Sequence, residues 1–94
     1  MIKPNFHQST ESDMKKFAYK LIEILEADGR TNKATDRHSM GLFYLQRSLQ
    51  FSENKIHMAR CLHTAYKYAK ELHIGTDQLE SATTLLTNGN ESED

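Results

Sequence analysis

Residues 36–51, DRHSMGLFYLQRSLQF, restrict the fold more than any other stretch, because as a helix they are apolar on two opposite sides. At about 100° per residue, Leu42, Leu45 and Leu49 line one side, with His38 one turn before them. Met40, Phe43, Tyr44 and Phe51 line the other, and Arg47 sits within that second stripe. A surface helix of a small domain needs a single apolar stripe, since only one side meets the core. The second stripe therefore predicts burial against another element, another copy of the chain, or a ligand.

The rest of the chain reads as helix too. Met14, Phe17, Ala18, Leu21, Ile22, Ile24 and Leu25 share one arc, which predicts a first helix from about Asp13 to Asp28. Thr10 is placed to cap it, with Asp13 three residues on, and Gly29 suits the left-handed residue after its end. Thr35 or Asp36 caps the second helix. Ser52 is expected to cap a third that runs to about His73 or Ile74, before Gly75. Its apolar face (Met58, Cys61, Leu62, Ala65, Tyr66, Ala69, Leu72) is rich in small residues, which lets a neighbouring helix come close. Thr76 caps a short fourth helix with Leu79, Ala82 and Leu86, stopping near Asn88 and Gly89.

The predicted class is all-α: a small antiparallel bundle of three main helices plus a short C-terminal one, without strands, that oligomerises. Residues 1–12 are expected to be a flexible lead-in, 13–89 a single helical domain, and 90–94 a disordered acidic tail with nothing to bury. Only Ser52 separates the second and third periodic segments, so the joint there is read as a hairpin or a sharp bend, with one long bent helix as the alternative.

The 94 residues are 37% hydrophobic and 27% charged, as expected of one small globular domain. No apolar run reaches the roughly 20 residues a bilayer span needs, and the N-terminus lacks a secretory pattern. The lone Cys61 cannot form an internal disulfide, which fits a cytoplasmic setting. Net charge is −1 but unevenly spread: −1 over residues 1–29, +5 over 30–74 and −5 over 75–94. The basic middle also holds four of the five histidines.

Two candidate surfaces follow. The first is the second stripe, Met40, Phe43, Tyr44, Arg47 and Phe51, as a partner-binding face, since aromatic and arginine anchors dominate interfaces. Gly41 and Ser48 on its flank would allow close backbone approach. The second is a row of Arg60, His63, Lys67 and Lys70 on the polar side of the third helix, suited to anions. Tyr19, on the polar side of the first helix, is an ordinary exposed ring or the rim of a binding surface.

No catalytic set is evident. Cys61 lies among apolar neighbours and reads as core, while His57 and His63 cannot converge with it on a metal. No phosphate loop, paired carboxylates or helix-turn-helix spacing occurs. The expectation is a non-enzymatic regulatory or inhibitory protein, without metal or cofactor, whose partners are itself as a homo-oligomer and another protein. The alternative is a nucleic-acid or nucleotide-binding module using the basic row. A histidine at a subunit seam, His38 or His63, would make assembly respond to pH between about 5 and 8.

Overall fold

A computed structural model describes residues 2–86 and 90–92. Helix α1 spans Glu11–Asn32, α2 Asp36–Gln50, α3 Lys55–Glu71 and α4 Thr76–Thr83. The protein is mostly helical, in agreement with the sequence. The largest side chains of its core come from α1 and α3: Met14, Phe17, Leu21 and Leu25 meet Met58, Leu62 and Tyr66. Leu45, Leu79 and Leu86 close this core from the second helix, the fourth helix and the turn after it.

The first helix starts where the sequence indicates, because the Thr10 hydroxyl accepts from the Asp13 backbone N–H at 3.1 Å. It does not stop at Gly29. That glycine is helical, and the chain leaves the helix at Lys33, whose φ is 66°. The Asn32 amide donates to Asp28 Oδ1 at 2.9 Å, tying the additional turn down. A single glycine costs a helix only about 1 kcal/mol, too little to end it by itself.

Helices α2 and α3 fold back on each other through residues 51–54. Arg37 meets Glu71, Tyr44 meets Tyr68 and Phe51 meets His57, so the two helices run antiparallel as a hairpin. Asn54, not Ser52, caps α3: its Oδ1 accepts from the His57 backbone N–H at 3.1 Å. At the far end the helix stops at Glu71, two residues before the expected His73, which takes the left-handed conformation with φ 58°. Gly75 is instead the residue before α4, and Thr76 is the first of that helix. Helix α4 ends at Thr83, and the expected stop at Asn88 and Gly89 lies outside the described residues.

Both termini carry regular structure. Strand β1 (Ile2–Pro4) pairs antiparallel with β2 (Asn90–Ser92), with Lys3 opposite Glu91. A 3₁₀ turn over Phe6–His7–Gln8 then drives Phe6 into the core, edge-to-face on Phe17 at 4.9 Å between centroids. Burial of this one large ring ties the N-terminal segment to the core. Residues 90–92 of the expected acidic tail pair through their backbone with β1, while 93 and 94 lie outside the described residues.

Candidate functional site

The two sides of α2 have different fates. The deepest line on its inner side is His38, Gly41, Leu45 and Ser48, all buried, with Leu42 and Leu49 half-buried on the flank. Gly41 explains the shift. A Cβ built there would lie 2.8 Å from Leu25 Cδ1 and 3.8 Å from Tyr68 Cβ, so the bare backbone lets α2 rest against α1 and α3 together. The close approach expected at Gly41 is thus made to α1 and α3 of the same chain, with Ser48 buried on the same side.

The outer side remains open. Phe43 is 51% exposed, Phe51 43% and Met40 37%. Tyr44 is half-buried and stacked on Tyr68, their rings 6.3 Å apart and 15° from parallel, while Phe43 meets Tyr44 edge-on at 5.2 Å. Arg47 lies over the Phe51 ring, its Cζ 5.2 Å from the centroid, and Phe51 in turn abuts His57 at 4.9 Å. These contacts hold Phe43, Tyr44, Arg47 and Phe51 against neighbouring rings. Asp36, exposed at the start of the same side, falls in step with Met40, Phe43 and Arg47 at intervals of four, three and four residues. Charge alone had not marked Asp36; its place on this face does.

All four residues of the predicted basic row, Arg60, His63, Lys67 and Lys70, are exposed on one side of α3. They do not form a flat solvated face. The segment from Lys3 to His7 runs alongside and turns the row into one wall of a groove. One part, about 360 Å³, is lined by Lys3, Pro4, His63, Tyr66, Lys67 and Lys70, with Glu71 at its edge. The adjoining part, about 560 Å³, adds Phe6, His7, Ala59 and Arg60. Lys3 and His7 escape a sequence reading that treats the N-terminus as a flexible lead-in. Phe6 was the available signal, as an apolar ring in a polar stretch that needs somewhere to go.

Tyr19 is 62% exposed. His38 is buried within the subunit, bonded to Asp28 and Thr35, so it does not sit on an exposed seam. Cys61 is buried, and burial pushes its thiol above the ordinary 9.0, with the nearby Arg47 charge opposing. Among the described residues no three His, Cys, Asp or Glu side chains gather to hold a metal, and no helix is long and apolar enough to cross a membrane.

The molecule is therefore an all-α protein with an aromatic outer face on α2 and a cationic groove along α3. No protein family, characterised protein or solved structure matches the chain.

Proposed function

We propose that this chain is a non-enzymatic binding protein, a helical bundle that self-associates through the outer side of α2 and regulates or inhibits a partner by covering its surface. The observation that carries this reading is the exposed, pre-organised set of Met40, Phe43, Arg47 and Phe51. Contiguous exposed aromatic surface costs a lone subunit solubility and favours association.

A second copy suits this face best. The face reads acidic, apolar, apolar, basic at Asp36, Met40, Phe43 and Arg47. If two α2 helices pack antiparallel about a two-fold axis, Asp36 meets the partner's Arg47 and Met40 meets the partner's Phe43. An isologous interface demands this self-complementarity. The cation already rests on the Phe51 ring, which lowers the cost of removing it from water.

Light scattering coupled to gel filtration tests the reading. Phe43→Asp should give a folded monomer. Asp36→Arg and Arg47→Asp should each weaken assembly, and the double exchange should restore it. A monomeric wild type, or a double exchange no better than either single one, would remove the proposal.

A further inference from the structure

We infer that the groove between the N-terminal segment and α3 binds a small phosphate-bearing ligand that carries an apolar ring. The groove is separate from the α2 face and draws on elements distant in sequence. Lys3 enters from β1, and His63, Lys67 and Lys70 from α3, around one cavity of about 360 Å³. That volume lies in the range of roughly 300–1,000 Å³ typical of small-molecule sites.

The charges there are available. None of Lys3, His63, Lys67 or Lys70 forms a salt bridge with another described side chain. Glu71, the one acid on the wall, is engaged by Arg37, whose Nε lies 3.1 Å from its Oε2. Lys70 Nζ is 5.8 Å from the centre of the Tyr66 ring, which holds the ammonium over the groove. Several lysines converging without a salt bridge among the described residues favour a multiply charged anion over a carboxylate.

The floor adds a second requirement. Pro4 and Tyr66 present apolar edges between the cations, so a bare phosphate would leave that surface wet. Single-stranded nucleic acid fits less well, because such sites stack bases on exposed aromatic rings. Among the described lining residues only Tyr66 and His63 carry aromatic rings, and Tyr66 is buried under Lys70, so the cavity offers no platform for successive bases. A ring joined to a phosphate satisfies floor and rim together.

Phenyl phosphate is the direct probe, with inorganic phosphate, phenol and a short oligothymidylate as comparisons, each titrated into the full-length chain and followed by amide NMR shifts. The expected result is saturable binding of phenyl phosphate at residues 3–7 and 60–71, at least tenfold tighter than phosphate or phenol. Lys67→Ala with Lys70→Ala should weaken it tenfold or more without changing the melting temperature. Both side chains are exposed, so the variant should fold. Equal affinity for phosphate alone, no saturable shifts, or an unaffected double variant would overturn the inference. So would far tighter oligothymidylate binding with steep salt dependence, which would make the groove a nucleic-acid site.

Discussion

His38 fastens the end of α1 to the start of α2: its Nε2–H donates to Asp28 Oδ2 at 2.8 Å, while its Nδ1 accepts from the Thr35 backbone N–H at 3.0 Å. The Thr35 bond puts the proton of the neutral ring on Nε2, facing the carboxylate. One buried side chain thus satisfies a helix N-terminus and fixes the angle between two helices. The α2 face stands outward from this joint.

The pair makes stability depend on pH. The hydrogen bond from His38 holds the Asp28 carboxyl below its ordinary 3.8, against the desolvation that would raise it. A depressed folded value means the unfolded chain takes the proton first as pH falls. The stabilisation is complete above the unfolded value and disappears as pH drops through the folded one. Between about pH 6 and pH 3, wild type should therefore lose more unfolding free energy than Asp28→Asn, as measured by urea denaturation. Asp28→Ala leaves the His38 N–H buried without an acceptor and should cost about 1–3 kcal/mol near neutral pH. Parallel pH curves for wild type and Asp28→Asn would show that the charge contributes nothing.

Gly41 separates two opposing effects. Replacing it with alanine gains about 1 kcal/mol of helix propensity, but the new methyl must displace Leu25 Cδ1 from 2.8 Å. That atom ends a side chain that can turn, so Gly41→Ala should change stability by no more than about 1 kcal/mol. Gly41→Val adds bulk towards Tyr68 and Ala65 as well, and overpacking of about 1–3 kcal/mol should then dominate. Chemical denaturation distinguishes the two. A valine variant as stable as wild type would mean that α2 does not sit as close as the glycine implies.

Phe6 decides whether the N-terminal segment belongs to the fold. Its ring is buried against Phe17, and β1 and the turn after it depend on that anchor. Phe6→Ala should cost about 3 kcal/mol. It should also raise amide exchange at residues 3–8 more than in α3, because that segment has little else to hold it. Unchanged exchange there would show that strand pairing alone suffices.

How much of this was legible beforehand depends on the kind of signal. The cores of the helices were, because Met14, Phe17, Leu21 and Leu25, then Met58, Leu62, Ala65 and Ala69, repeat with the helical period and are buried. The surplus apolar side of α2 was legible too: the sequence shows two stripes where a surface helix needs one, and Phe43 and Phe51 are exposed. Helix ends were not. Gly29 and Gly75 are good terminators in isolation, but contacts of Asp28 with Asn32 and His38 carried one helix further, and His73 ended another. The groove was half-legible. Helical spacing aligned Arg60, His63, Lys67 and Lys70, whereas nothing local places Lys3 beside them. That juxtaposition depends on the burial of Phe6 against Phe17, which brings the N-terminal segment alongside α3.

Cys61 offers a probe of motion at the α2–α3 hairpin. Its thiol is buried, and burial raises its pKa, which favours the unreactive thiol over the thiolate. Modification then needs an opening that lets water and reagent reach α3. Labelling with a disulfide reagent should be at least 100-fold slower in the native protein than in urea. It should also accelerate in step with the destabilisation caused by Gly41→Val, because the same contact between the helices limits both. Rapid native labelling, indifferent to that variant, would mean that the sulfur is reached through a surface channel and that the hairpin need not open.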